Sequence, residues 1–230
     1  MTKVKICGLT SLKDLVLVAS LGADAVGVIT GIPASPRNVS LEMAKSLIGK
    51  TPLFTKSVLV MAPRSLEEAI EVCEYVKPDA IQIHGENINM KDFSITIENI
   101  DIIKPINANI LDVQSTALAA AELFDAVLLD SSTNNKLGGT GREHDWEISR
   151  KTAEAIKPKP LILAGGLHPG NVKEAIHKVR PYAVDVCTGT EARLGIKDPK
   201  KIQLLLSMVK KADRERVNLC VHTDFMEELK

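Results

Sequence analysis

Short runs of Val, Ile, Leu and Ala alternate with longer amphipathic stretches along nearly the whole chain. The apolar runs predict eight strands: Val4–Cys7, Ala25–Thr30, Ser57–Met61, Ala80–His84, Ile102–Ile106, Ala126–Asp130, Leu161–Ala164 and Val184–Cys187. Near-continuous apolar runs of this length suit parallel strands covered on both faces. The stretches between them carry helix signals. Ser65-Leu-Glu-Glu68 forms a capping box for a helix over 66–76. Ser40 is placed to cap a helix ending near Ile48, with Gly49 as its C-cap. His168-Pro169 and Asp198-Pro199 each put proline at a first helical position.

A finer repeat runs through the strands. Asp24-Ala-Val-Gly-Val28, Asp79-Ala-Ile-Gln-Ile83 and Asp125-Ala-Val-Leu-Leu129 share one pattern, and Tyr182-Ala-Val-Asp-Val186 is a weaker fourth copy. The copies fall on the even-numbered strands, so the chain reads as four (βα)2 units. The expected fold is α/β, a single (βα)8 TIM barrel over residues 1–210. A short C-terminal extension, 211–230, follows it with no role assigned. A doubly wound open sheet is the competing arrangement, but no G-x-G-x-x-G follows the first strand.

Composition narrows the function. A length of 230 residues suits one such barrel, and 45% hydrophobic residues supply its core. The 29 basic and 29 acidic residues cancel and aromatics are only 3%, so neither nucleic acid nor an anionic membrane is an expected partner. No apolar run approaches the roughly 18 residues of a membrane span, and no leader is evident, so a cytoplasmic location is expected. Cys7, Cys73, Cys187 and Cys220 show no CxxC spacing. His144, His168 and His177 show no ligand spacing with acidic residues. No metal and no cofactor is expected.

In such barrels the chemistry sits at the C-terminal ends of the strands and in the loops that follow. Strand ends here read Cys7-Gly8, His84-Gly85, Asp130-Ser131, Ala164-Gly165-Gly166 and Cys187-Thr188-Gly189. Glycines after strands 7 and 8 let backbone N–H groups approach phosphate oxygens, so Gly165, Gly166, Thr188 and Gly189 are candidate phosphate contacts. Asp130 ends an apolar run, and a half-desolvated carboxyl suits a general acid; capping of the next loop is the alternative. Cys7 on the same rim is a candidate base through its thiolate, or a small buried hydrophobe. It alone of the cysteines is expected to face the open rim, with Lys5 or Arg37 favouring the thiolate. Cys73 should be covered, and Cys187 partly screened. Asp185 shares strand parity with Cys187 and points inward, either to pair with Lys5 or to meet a ligand. Arg37 in Ser35-Pro-Arg-Asn38 is able to fork onto a carboxylate; a solvated loop residue is the alternative. The long loop Ser131–His144 carries Gly138-Gly-Thr-Gly141 and is either of the kind that closes over substrate or a flexible connector.

Together these segments resemble phosphoribosylanthranilate isomerase of tryptophan biosynthesis. The matching pieces, in order, are Val4-Lys-Ile-Cys-Gly-Leu-Thr10, Gly22-Ala-Asp-Ala-Val-Gly27, Ser35-Pro-Arg37, Gln82-Ile-His-Gly85, Leu129-Asp130, Gly138-Gly-Thr-Gly141 with Asp145-Trp146, Leu163-Ala-Gly-Gly-Leu167, Val184-Asp-Val186 and Gly195-Ile-Lys-Asp-Pro199. The resemblance implies an Amadori rearrangement of a phosphorylated small molecule by a monomer or homodimer. It implies Asp130 as general acid and Cys7 as general base. Arg37 would hold the anthranilate carboxylate, with His84, Gly139 and Asp185 as further substrate contacts. Two positions depart from the family pattern. Cys187 stands where serine is usual, and Val28 follows Gly27 where an aromatic is usual. Another phosphate-binding barrel isomerase and a non-catalytic paralogue are the alternatives. A ribulose-phosphate epimerase needs metal-binding histidines at strand ends, where only His84 stands, and the histidine-pathway isomerase normally has aspartate at the Cys7 position.

Overall fold

Strand β1 (Lys3–Ile6) pairs on one side with β2 (Ala25–Thr30) and on the other with β8 (Ala183–Val186), and this double pairing closes the sheet into a barrel. Between them β3 (Lys56–Met61), β4 (Ala80–Ile83), β5 (Asp101–Asn107), β6 (Ala126–Asp130) and β7 (Leu161–Leu163) follow in chain order, all parallel. The computed structural model describes residues 1–85, 99–130 and 146–227, with side chains in the last helix up to residue 217. Among the described residues are seven α-helices: α1 (Leu12–Ser20), α2 (Leu41–Ile48), α3 (Leu66–Val76), α4 (Val113–Leu123), α5 (Trp146–Ala155), α6 (Val172–Val179) and α7 (Pro199–Glu227). None is long and apolar enough to cross a membrane.

Helix starts follow local chemistry. Ser40 Oγ accepts from Met43 N, and Asp198 Oδ1 accepts from Lys200 N at 2.8 Å, as expected of N-caps. The capping box at α3 closes differently. Ser65 Oγ accepts from Glu68 N, but the Glu68 carboxylate reaches back to Arg64 N at 2.7 Å, one residue earlier than the reciprocal box predicts. Pro169 does not open a helix either. Asn171 Oδ1 accepts from His168 N and Asn171 Nδ2 donates to Gly166 O, which makes residues 168–171 a turn and starts α6 at Val172.

The aspartate repeat has a physical reason. Asp24, Asp79 and Asp125 each stand just before an even strand and accept a backbone N–H at the start of the odd strand before it. The donors are Val4 N (2.9 Å), Ser57 N (2.7 Å) and Ile102 N (2.9 Å). Tyr182 occupies the fourth position, where no carboxylate clasp is made among the described residues and the backbone bond Tyr182 N to Leu161 O (2.9 Å) adds to the ladder.

Alternation along the strands sorts the interior into levels. Val58, Ala80, Ile103, Ala126, Leu128, Ile162 and Ala183 pack the lower barrel. Above them lies a polar level of Lys5, Gln82 and Asp185, all buried. Cys7, Ile29, Val60 and Cys187 cluster at the top. The main core lies between strands and helices.

Helix α7 runs unbroken across residue 210, where a barrel boundary was expected. Asp213 is buried and accepts from Thr2 N (2.7 Å) and Thr2 Oγ1 (2.8 Å), while Glu215 pairs with Lys173 and His177 of α6. The first turns of the expected extension therefore pack on the barrel.

Candidate active site

The C-terminal mouth of the barrel holds a cavity of about 270 Å³. Cys7, Arg37, His84, Asp130, Gly165, Gly166, Asp185, Thr188 and Gly189 all line it, so the structure gathers every described candidate at one place. Gly139 and the loop Ser131–His144 lie outside the described residues.

Cys7 follows β1, and its N–H continues the ladder to Val186 O at 3.0 Å. Its sulfur packs on Gly27 of β2 so closely that a Cβ there would stand 2.7 Å from it. Glycine at 27 is therefore a matter of space. Burial pushes the Cys7 thiol up; Lys5 pulls it down, Asp185 pushes it up again, and the thiol stays above the ordinary cysteine range. This corrects the expectation of an open, cation-favoured thiolate: Cys7 is buried and rests protonated. Nor does it line the mouth alone. Cys187, partly exposed, lines it too, with burial pushing its thiol up to about 12. Cys73 is buried in α3 as expected, and burial pushes it to about 11. The side chain of Cys220 lies beyond those described.

Lys5 and Asp185 are Cα partners in the β1–β8 register, and Lys5 Nζ stands 2.7 Å from Asp185 Oδ2. Burial opposes the lysine charge, but Asp185 and Cys7 outweigh it and hold Lys5 above the ordinary lysine value. The other oxygen, Asp185 Oδ1, is buried with no hydrogen-bond partner among the described residues. Of the two alternatives the sequence leaves open, pairing with Lys5 is the one observed; it occupies Oδ2 and leaves Oδ1 unused. Lys5 Nζ also donates to Gln82 Oε1 at 2.9 Å, and Gln82 Nε2 lies 2.9 Å from His84 Nε2. Burial first, then Lys5 and Lys104, push His84 down to about 4.

Arg37 is not a solvated loop residue. It is buried, and its fork grips Glu191: Nε to Oε1 at 2.6 Å and Nη2 to Oε2 at 2.8 Å. Nη2 also donates to Thr188 Oγ1 at 3.3 Å.

Two loops meet beside Arg37. Gly165 and Gly166 follow β7; Thr188 and Gly189 begin the 3-10 turn Thr188–Thr190 after β8. A Cβ on Gly189 would overlap the Leu167 carbonyl oxygen, so only glycine lets the loops approach this closely. Among the described residues, the N–H groups of Gly165, Gly166, Thr188 and Gly189 have no backbone acceptor. Backbone amides left without an acceptor beside a cavity are groups able to hold an anion.

The model of the N-(5'-phosphoribosyl)anthranilate (PRA) isomerase family matches residues 4–208. The chain belongs to this isomerase family. It is an enzyme by that membership. An N-(5'-phosphoribosyl)anthranilate isomerase of Halobacterium salinarum is 42% identical over 204 residues, 86% of this chain and 91% of the relative. The crystal structure of phosphoribosyl anthranilate isomerase from Thermotoga maritima superposes with a TM-score of 0.81 at 36% identity, covering 92% of this chain and 100% of that one. A structure of the isomerase in complex with reduced 1-(o-carboxyphenylamino)-1-deoxyribulose 5-phosphate has a TM-score of 0.78 at 34% identity, with 92% and 100% covered.

Three polar residues of this isomerase carried no assignment in the sequence. Gln82 sits mid-strand in β4 with the parity of His84, and a lone amide inside an apolar run was the available signal. Lys197 stands in the Gly195–Pro199 segment that matches the family and Glu191 lies outside the matching pieces, and nothing local says that they bury beside Arg37. No group of three or more metal-binding side chains is assembled among the described residues.

Proposed function

We propose that the chain converts N-(5'-phosphoribosyl)anthranilate to 1-(2-carboxyphenylamino)-1-deoxyribulose 5-phosphate, an Amadori rearrangement in tryptophan biosynthesis. The observation that carries this reading is the cavity itself. A carboxyl (Asp130) and a thiol (Cys7) line it from strands that are not neighbours, with four open amides on one wall and Arg37 on the rim.

The amides of Gly165, Gly166, Thr188 and Gly189 hold the phosphate and fix the ribose between acid and base. Asp130 protonates the furanose ring oxygen. The C1′–O bond breaks as the aryl nitrogen lone pair forms the C1′=N bond of a protonated Schiff base. Cys7, as thiolate, removes the C2′ proton, and the electron pair forms C1′=C2′ and neutralises the nitrogen. The enolamine then tautomerises to the 2′-ketone. Lys5 below Cys7 supports the thiolate, while the free Asp185 Oδ1 and His84 contact ribose hydroxyls. The reaction is redox-neutral and needs no cofactor.

The test is turnover by the purified protein, followed by loss of the substrate and appearance of the ketose. Asp130→Asn should lower kcat by about 10² to 10⁴-fold with binding of the reduced product analogue retained. Tight binding of that analogue without turnover by the unmodified chain would establish a non-catalytic paralogue instead.

A further inference from the structure

We infer that Glu191 is a positioning residue that sets the direction in which Arg37 faces the cavity and so selects ligands carrying a carboxylate, with Lys197 as the buried counter-charge that keeps the group cationic. The inference rests on the reading of Arg37 as the carboxylate contact. Every side-chain hydrogen bond of Arg37 falls on one edge of its guanidinium. Nε and Nη2 hold the two oxygens of Glu191, and Nη2 also holds Thr188. Nη1 has no partner among the described residues and is not an orphaned buried atom. Because the guanidinium is planar and rigid, gripping one edge fixes the direction of the other. The edge left to a ligand is Nη1.

Glu191 is itself held hard. It follows the 3-10 turn and pairs with Lys197 in a short antiparallel ladder. Lys197 Nζ, fully buried, lies 3.5 Å from Glu191 Oε1 and donates to Cys187 O at 3.0 Å. Lys201 Nζ donates to Glu191 O at 2.7 Å, and Asp14 Oδ2 anchors Lys197 N at 3.1 Å. The signs of charge explain the third member. Arg37 and Glu191 alone would cancel and leave nothing to draw an anion. Lys197 adds a positive charge to that pair without lining the cavity. A buried ion pair with a second buried cation carries a desolvation cost that simple cross-linking of loops does not require. Thr188 joins this cluster to the anion cradle, since it contacts Arg37 and contributes an open amide. The carboxylate and phosphate ends of a ligand are thereby held at a set separation.

The experiment compares two reduced product analogues, the carboxyphenylamino compound and its phenylamino counterpart without the carboxylate, by calorimetric Kd. The proteins are wild type, Glu191→Gln and Arg37→Ala. Glu191→Gln should weaken the carboxylate analogue by about ten- to a hundredfold, the usual weight of a misaligned charge-assisted contact. It should leave the phenyl analogue and inorganic phosphate near their wild-type affinities. Equal losses for both analogues, or no loss, while Arg37→Ala abolishes the discrimination, would show that Glu191 only staples the loops and overturn the inference with the Arg37 reading intact. Discrimination that survives Arg37→Ala overturns the Arg37 reading, and the inference with it. If Glu191→Gln fails to fold, Glu191→Asp keeps the charge and draws the fork back by one methylene. It should shift the same ratio, and an unchanged ratio overturns the inference.

Discussion

Gln82 Nε2 lies 2.9 Å from His84 Nε2, and Lys5 sets the direction of that hydrogen bond. An ammonium only donates, so Gln82 must present its oxygen to Lys5 and its nitrogen to His84. His84 Nε2 is then the acceptor, and the ring is neutral with its proton on Nδ1. A lysine on β1 thus fixes the tautomer of a histidine at the end of β4, and the Nδ1 proton is the donor His84 has to offer.

Histidine titration by nitrogen NMR checks this directly. His84 should remain in the Nδ1–H form down to about pH 4. Its folded value lies below the ordinary histidine range. Stability from this group is therefore complete above that range and declines as pH falls toward 4. Gln82→Glu places a carboxylate on Nε2 and should raise His84 by about one to three units. A His84 signal that titrates in the ordinary range in the unmodified protein would show that Gln82 does not hold it.

The buried thiol of Cys7 predicts an alkaline limb in catalysis. Because its folded value is raised, the thiolate fraction keeps growing above neutral pH, and kcat/KM should climb with it. Iodoacetamide inactivation should follow the same pH dependence and be prevented by the reduced product analogue. Cys7→Ala should abolish turnover, whereas Cys187→Ser should leave it largely intact. Peptide mapping that found Cys187 modified and Cys7 untouched at inactivation would remove Cys7 as the base.

Gly189→Ala tests the cradle. The added methyl meets the Leu167 carbonyl oxygen, so the loops after β7 and β8 must move apart. KM should rise and competitive inhibition by inorganic phosphate should weaken, with kcat less affected. Unchanged phosphate inhibition would place the anion elsewhere.

Lys5→Met leaves the Asp185 carboxylate buried without its partner and should cost about 3–5 kcal/mol in denaturant unfolding. Adding Asp185→Leu should restore part of that loss, since neither charge then remains in the interior. A single variant as stable as wild type would mean that water reaches Asp185.

Much of this barrel is legible in the chain because parallel strands covered on both sides write themselves as apolar runs. All eight predicted strands appear, with ends shifted by at most one residue: Val4–Cys7 is Lys3–Ile6, and Ala25–Thr30 is unchanged. Site residues at strand ends were legible for the same reason. Parity and position put Cys7, His84 and Asp130 on the rim and turned Asp185 into the barrel. Contacts between distant segments were not. Arg37 looks like a surface arginine until Glu191, 154 residues later, is seen to fill its fork. The ionisation of Cys7 differs from the expectation because charge is legible in a sequence and burial is not. Lys5 is visible two residues away, whereas the packing of the sulfur on Gly27 depends on how two strands meet.

The aspartate clasps at the opposite end of the barrel have a consequence for that rim. Of the barrel's eight neighbouring strand pairs, β1–β2, β3–β4 and β5–β6 are latched at the bottom by a carboxylate, and β7–β8, the corresponding pair of the fourth unit, has no such latch among the described residues. The four units are therefore not equivalent. The three latched units carry Cys7, His84 and Asp130 at their upper ends. The register fixed at the bottom thus lies beneath the candidate acid and base, while the unlatched unit carries the loops proposed to hold the phosphate.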